Sequence, residues 1–220
     1  MKKSILITLI TALCINLHSF AQTDAKAKKI LDEVSAKTKT YKSIVSEFVL
    51  KVDNKKTNVH ETQQGKVFLK GLKYKLEIAN QTIINDNKTI WTVIKDAEEI
   101  QINNADDKSK KEDAITPSNI FTVYEKNFKY EFFKEEKDKK GASKNMIKLF
   151  PSEPKGKNYH TIILTIDKAS KQINSMKILG KDGVETTYIL KNFRVNDVLD
   201  DAMFTLNTKS YPKYEVVDLR

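Results

Sequence analysis

The chain has 220 residues, a formal net charge of +10 and a single cysteine, Cys14. One cysteine cannot form a disulfide within the chain, so a disulfide-held scaffold is excluded and a packed core must supply the stability. About 200 residues are enough for one sizeable core. The excess of lysine favours acidic partners such as anionic lipid head groups or an acidic protein surface, and a lysine-rich surface without a specific partner is the alternative.

The N-terminus has the organisation of a signal peptide. A basic start is followed by an apolar run over residues 5–15, which is too short to span a bilayer, and then by the small residues Ser19 and Ala21. We therefore predict export with a cleaved signal peptide over residues 1–21 and a single domain over residues 22–220. Lipidation of Cys14 is disfavoured because the bulky Leu13 precedes it.

Cleavage changes the charge and the range of partners. Loss of Lys2 and Lys3 lowers the formal net charge to +8. In an exported protein a basic surface favours lipid or protein partners, and nucleic acid is not expected. No later stretch is apolar for long enough to be a membrane anchor.

The mature chain begins with a predicted amphipathic helix over residues 27–41. Its apolar side chains recur at helical spacing, whereas most of the lysines fall elsewhere on the helical wheel. The stripe consists of Ala27, Ile30, Leu31, Val34, Thr38 and Tyr41. Such a stripe must pack on another element.

From about Ser43 the hydrophobic period changes to two, which indicates strands. The clearest alternation covers residues 73–78, with apolar side chains on one face and charged ones on the other. The other candidates are the segment with Phe48, Leu50 and Val52 and the ranges 57–70, 81–85, 89–94, 98–103, 128–133, 146–150, 159–166, 172–179, 184–193 and 214–218. Turn residues such as Asp and Gly join most of them.

These elements predict a mainly β protein with helices, of the α+β class. About eleven short strands leave no room for helices between them, so we expect one antiparallel sheet that rolls into a half-open barrel. A second helix is predicted over residues 117–125, with Thr116 as its N-cap and Pro117 in its first turn. Residues 104–113 and 134–144 are predicted to be charged loops.

The sequence lacks recognisable catalytic equipment. It has no nucleophile elbow, zinc-protease motif, phosphate-binding glycine loop or Cys-x-x-Cys pair. His60 and His160 each stand alone in a strand, and we interpret both as structural. Asp86 and Asp167 lie beside turns and are expected to accept backbone hydrogen bonds. We predict no enzyme activity, no metal and no cofactor.

The apolar residues raise a choice between a ligand site and a filled core. A sheet that rolls up without closing has an inner face that must be covered. Two short helices offer one apolar stripe each, so they leave either an apolar hollow suited to hydrophobic ligands or an ordinary core with helical plugs. The periodicity does not decide between them.

The mature chain resembles the LolA-type periplasmic outer-membrane lipoprotein carriers over nearly its whole length. The most specific features are the Asp-x-x-x-x-Trp stretch that ends at Trp91 and the Asp-Asp-Ala-x-Phe stretch that ends at Phe204. The segments that match the family, in the same order along the chain, are residues 41–44 with Phe48, 64–70, 83–91, Thr116 with Pro117, and 200–206.

The resemblance implies a half-open barrel with a helical lid and a carrier function in the periplasm. The hollow receives the acyl chains of a lipoprotein from an inner-membrane lipoprotein-releasing transporter, and the carrier delivers them to an outer-membrane acceptor. A monomer is expected. By position, the residues that line the hollow are Phe48, Leu50, Val67, Leu69, Leu76, Ile78, Ile84, Trp91 and Ile100, and the lid residues are Ile120, Phe121 and Tyr124.

One position departs from the family pattern. Well-studied members carry an Arg-Pro pair after the strand that matches residues 67–70, and the arginine helps to hold the lid. Here Gly71 and Leu72 occupy that place. Lys70 and Lys73 flank it and are the candidates for the missing basic contact, although an ammonium cannot make the planar contacts of arginine.

Two alternatives to a carrier remain at this point. One is a sensor or adaptor on the same fold that binds lipid or lipoprotein and reports on it. The other is a non-catalytic β-sheet interaction module with a filled core.

Overall fold

The computed structural model describes residues 24–105 and 115–220. The predicted signal peptide with Cys14 and residues 106–113 of the predicted loop 104–113 lie outside the described residues.

The predicted N-terminal helix is present as α1, Ala25–Thr38. Asp24 caps it, because its side chain accepts hydrogen bonds from the backbone N–H groups of Lys26 and Ala27. The helix buries its apolar stripe in the main core. It ends three residues before the predicted end at Tyr41.

The described residues form one open, mainly antiparallel sheet of twelve strands in the order β12-β6-β5-β4-β3-β2-β1-β11-β10-β9-β8-β7. β12 pairs with β6 in parallel, at one edge. The other edge is β7, so the sheet is not closed. The strands are β1 (Ile44–Asn54), β2 (Val59–Lys70), β3 (Lys73–Ile78), β4 (Gln81–Asn85), β5 (Thr89–Ile94), β6 (Glu99–Asn104), β7 (Phe128–Lys137), β8 (Ser143–Pro151), β9 (Tyr159–Asp167), β10 (Ile173–Gly180), β11 (Val184–Val195) and β12 (Glu215–Asp218).

The predicted loop 134–144 is wrong. β7 continues to Lys137, a short turn follows, and β8 begins at Ser143. The charged side chains of this hairpin are compatible with strands because they have ionic partners: Lys168 lies 2.8 Å from Glu135 and Lys144 lies 2.5 Å from Asp167. A charged run can therefore extend an edge hairpin as well as form a solvated loop.

The predicted helix 117–125 is also wrong. Residues 117–122 form turns, and only Val123–Glu125 form a single 3-10 turn. The backbone bonds are mostly of the i→i+3 kind, and the Asn119 side chain accepts a hydrogen bond of 2.8 Å from the Thr116 N–H. Asparagine and threonine side chains compete in this way with helical hydrogen bonds.

The sheet has a core on each face. The face that packs against α1 and residues 115–125, called here the inner face, carries the main core. The opposite, outer face carries a smaller core of Val93, Ile100 and Ile102. Leu206, Tyr211 and Tyr214 of the C-terminal segment pack on the smaller core, and Phe204 in the 3-10 turn Asp201–Phe204 is fully buried.

Candidate functional site

The inner face contains an apolar cavity of about 220 Å³ between the middle of the sheet and residues 115–121. Among the described residues, its lining includes no charged side chain, and the only side-chain polar groups are the hydroxyls of Thr116 and Tyr188. The lining residues are Phe48, Leu50, Val67, Leu69, Leu76, Ile78, Ile115, Thr116, Pro117, Ile120, Phe121, Tyr188 and Leu190.

Strand alternation brings the floor of the cavity together. Phe48 on β1 lies opposite Leu190 on β11 and Gly65 on β2, and Gly65 lies opposite Ile78 on β3. Directly opposite residues of antiparallel strands share a face, so this row presents its side chains to the same cavity. Six of the nine predicted lining residues meet here: Phe48, Leu50, Val67, Leu69, Leu76 and Ile78.

The cover of the cavity is the turn segment 115–121. Phe121 is 6% exposed, and its ring centroid lies 5.8 Å from that of Phe193 in an edge-to-face arrangement. Of the predicted lid residues, Ile120 and Phe121 line the cavity, whereas Tyr124 is buried in the main core beside it. The lid position is therefore occupied by turns rather than by a helix.

A polar anchor follows the cover at Glu125. Its carboxylate accepts a hydrogen bond from the Ser35 hydroxyl of α1 and lies 3.1 Å from the Lys39 ammonium. Burial opposes ionisation, but the hydrogen bonds from Ser35 and Lys39 outweigh it and hold the pKa of Glu125 below its usual value. The segment that follows the cover is thus fixed to α1.

The facing predicted for Ile84, Trp91 and Ile100 is corrected by the strand register. Ile78 lies opposite Gln81 across the two-residue turn 79–80, so Leu76 lies opposite Ile83 and not Ile84. Ile84 then shares the outer face with Trp91, and Ile100 belongs to the smaller core there. These three residues do not line the cavity, because a shift of one residue reverses the face of a strand.

Lys70 and Lys73 also lie on the outer face. The Lys70 ammonium donates a hydrogen bond of 3.0 Å to the Leu199 carbonyl and lies 3.2 Å from the Asp201 carboxylate. The Lys73 ammonium lies 3.3 Å from the same carboxylate. Both lysines hold the C-terminal segment, so neither takes the place of the family arginine at the lid.

The sequence analysis missed five lining residues: Ile115, Thr116, Pro117, Tyr188 and Leu190. Tyr188 and Leu190 alternate on β11, which pairs with β1 although it follows it by more than a hundred residues. The alternation of side chains shows that Tyr188 and Leu190 share one face of β11. Only the long-range pairing of β11 with β1 places that face beside Phe48. Thr116 and Pro117 were considered only as the start of a helix, and Ile115 was not considered.

The polar residues singled out in the sequence have structural partners. His60 Nδ1 lies 2.7 Å from Asp53, its neighbour across β1 and β2, and His160 Nδ1 lies 2.8 Å from the Thr161 hydroxyl. Asp86 and Asp167 accept backbone hydrogen bonds in turns, which confirms their interpretation as turn residues. Within residues 24–105 and 115–220, no three His, Cys, Asp or Glu side chains are grouped so as to hold a metal ion.

Comparisons with known proteins give a family match and several similar folds. The family described as outer membrane lipoprotein carrier protein LolA matches residues 18–207. No curated protein matched the chain. In the described part of the chain, none of the helices is long and apolar enough to cross a membrane.

The solved structures that are similar to this chain include three with the following values. An uncharacterized conserved protein of Thermus thermophilus is 12% identical with a TM-score of 0.54, over 88% of this chain and 99% of that one. Lipoprotein LppX of Mycobacterium tuberculosis is 10% identical with a TM-score of 0.53, over 80% and 100%. A LolA superfamily protein of Nitrosomonas europaea is 10% identical with a TM-score of 0.43, over 82% and 97%.

Proposed function

The chain belongs to the outer membrane lipoprotein carrier family, LolA, and on that premise we propose that it carries the acyl chains of lipoproteins in the inner-face cavity. The observation that supports the proposal best is the composition of the lining. Thirteen of the described residues line the cavity, none of them is charged, and most present aliphatic or aromatic side chains. Such a surface suits a hydrocarbon chain, and it presents few hydrogen-bonding groups to a polar substrate.

The free energy of carriage comes from keeping methylenes out of water. Each sheltered methylene contributes about 0.8 kcal/mol. The cavity volume of about 220 Å³ lies below the roughly 300–1,000 Å³ of typical small-molecule pockets. A whole acyl chain therefore requires residues 115–121 to move outward. The apolar side chains of the sheet that these residues covered then contact the ligand instead.

The proposal includes a location and a route. The signal peptide 1–21 directs the chain to the periplasm, where it is loaded by an inner-membrane lipoprotein-releasing transporter and unloaded at an outer-membrane acceptor, as a monomer. The role is binding without catalysis, because the sequence has no nucleophile with a positioned base. In place of an arginine, the cover has apolar contacts with the sheet, and Glu125 next to it contacts Ser35 and Lys39 of α1.

Uptake of acyl ligands by the mature chain, residues 22–220, tests the proposal. Purified, delipidated protein is titrated with a fluorescent fatty acid and then with a triacylated lipopeptide as competitor. We expect saturable uptake and competition, followed by transfer of the lipopeptide from inner-membrane-like to acceptor-containing vesicles.

A matched pair of variants locates the binding. Ile78→Glu places a carboxylate in the lining and should weaken uptake at least about tenfold, because the charge would have to be desolvated. Leu72→Glu makes the same chemical change at a side chain that is 60% exposed outside the cavity, and should bind like the unmodified protein. If the unmodified protein takes up neither ligand, the cavity is a packing void and the filled interaction module becomes the better interpretation.

A further inference from the structure

Gly65 lies on the inner face of β2, beneath the Phe48 ring that lines the cavity, and this ring leaves no space for a side chain there. In the sheet, Gly65 lies directly between Phe48 on β1 and Ile78 on β3. A Cβ built at Gly65 would lie 2.7 Å from Phe48 Cε1, and closer still to Phe48 Cζ. The tip of the Phe48 ring therefore fills the space above the glycine.

The reason for glycine here is close approach and not backbone conformation. Gly65 is not among the residues with positive φ, so any residue could adopt its backbone. A Cβ could not move away from the ring, because the Glu77 carbonyl oxygen lies 2.7 Å away from it on β3. A glycine beneath an aromatic ring on a neighbouring strand is a known device of antiparallel sheets.

The ring of this pair is part of the cavity wall. Phe48 is 6% exposed and belongs to the lining. Its ring also packs against Tyr188, another lining residue, with the centroids 6.5 Å apart. If residue 65 had a Cβ, the Phe48 ring could no longer lie over it. The ring would then have to move away from the sheet, into the space that residues 115–121 cover.

We propose that Gly65, acting through Phe48, is a specificity-determining residue that sets the length of acyl chain the cavity accepts. The inference rests on the proposed carrier function and deepens it. Gly65 is a positioning residue, because it touches the ring and the ring touches the ligand. The unobstructed floor is what leaves room for a long, unbranched hydrocarbon chain.

The test is competition between a fluorescent fatty acid and saturated fatty acids of increasing length, with the mature chain and its variants. Gly65→Ala should lower the affinity for long chains at least about tenfold, the effect of roughly two methylenes left in water, and should affect short chains less. Phe48→Leu in the Gly65→Ala background should restore part of the long-chain binding, because the smaller side chain removes the contact with the ring but leaves the one with the Glu77 carbonyl oxygen. Gln64→Ala, an exposed neighbour on the outer face, is the control and should change nothing.

Each outcome decides the question. Uptake by the unmodified protein with the same length preference in Gly65→Ala would overturn the inference and leave the carrier function standing. No uptake by the unmodified protein would overturn the carrier function and this inference with it. If Gly65→Ala does not fold, the single variant Phe48→Leu tests the inference in the same competition experiment. We expect Phe48→Leu to prefer longer fatty acids than the unmodified protein, and an unchanged length preference would contradict the inference.

Discussion

Asp24 and Phe132 are joined by a hydrogen bond of 2.8 Å, in which the backbone N–H of Phe132 donates to the Asp24 carboxylate. Phe132 lies on β7, an edge strand of the sheet, and Asp24 is the N-cap of α1. One side chain therefore caps the helix and satisfies a backbone donor at the open edge. The bond from Phe132 is the main reason why the pKa of Asp24 lies below its usual value.

Replacement of Asp24 should destabilise both the N-terminus of α1 and the β7 edge of the sheet. We expect Asp24→Ala to lower the free energy of unfolding by about 1–2 kcal/mol, the usual cost of a lost N-cap and a lost hydrogen bond. Urea denaturation measures it. Asp32→Ala removes an exposed ion pair with Lys28 within the same helix, and should lower the stability much less, because water screens such a pair. Equal effects of the two substitutions would contradict the double role of Asp24.

Asp167 should make the stability depend on pH in the acid range. Hydrogen bonds from Lys144 and from the Ser170 N–H lower the pKa of Asp167 from 3.8 to about 2. Since the folded pKa lies below the unfolded one, the stabilisation is complete above pH 3.8 and is lost as the pH falls towards about 2. We expect Asp167→Asn to cost about 2 kcal/mol at neutral pH. Urea denaturation over a pH series should show the difference shrinking below pH 3.8, and a constant difference would exclude the ion pair as its cause.

The parts of the site that local sequence could predict are those set by alternation within one strand or across a tight turn. The family resemblance implied the inner face for Phe48 and Leu50, Val67 and Leu69, and Leu76 and Ile78, and the alternation within each strand agrees with it. The inner face implied for Ile84 was wrong, because its face depends on the register across the turn 79–80 and not on its own hydrophobicity. Trp91 on β5 lies opposite Ile84, and Ile100 on β6 lies on the same face of the sheet. The one-residue error at Ile84 therefore placed all three residues on the wrong face.

The cover and the far wall of the cavity needed long-range information. Residues 117–125 have an apolar spacing that suits a helix, but Asn119 bonds locally to Thr116 and the segment forms turns. Tyr188 reaches the cavity only because β11 pairs with β1, and an alternating pattern does not identify the partner of its strand. The smaller core was missed for the same reason, since Leu206 and Tyr214 are far from Val93 in the sequence.

Trp91 provides a spectroscopic test of the two faces. It is the single tryptophan of the chain, and it packs against the smaller core on the outer face. We expect its fluorescence maximum to stay unchanged when the cavity is saturated with a non-fluorescent fatty acid. Tyr188→Trp in a Trp91→Phe background places the reporter in the cavity lining, and its emission should shift on binding. A shift of Trp91 itself would place the ligand on the outer face.

Charged substitutions in the cover of the cavity should weaken binding while unfolding stays cooperative. Phe121 touches both the cavity and Phe193, and Ile120 is a partly buried lining residue. We expect Phe121→Glu and Ile120→Glu to weaken acyl-chain binding at least about tenfold, because a carboxylate would replace an apolar contact with the ligand. Phe133→Glu changes an aromatic residue that is 42% exposed and outside the cavity, and should bind normally. Calorimetric titration gives the affinities, and urea denaturation checks that unfolding stays cooperative. Unchanged affinity in both cover variants would show that residues 115–121 pack on the sheet without taking part in binding.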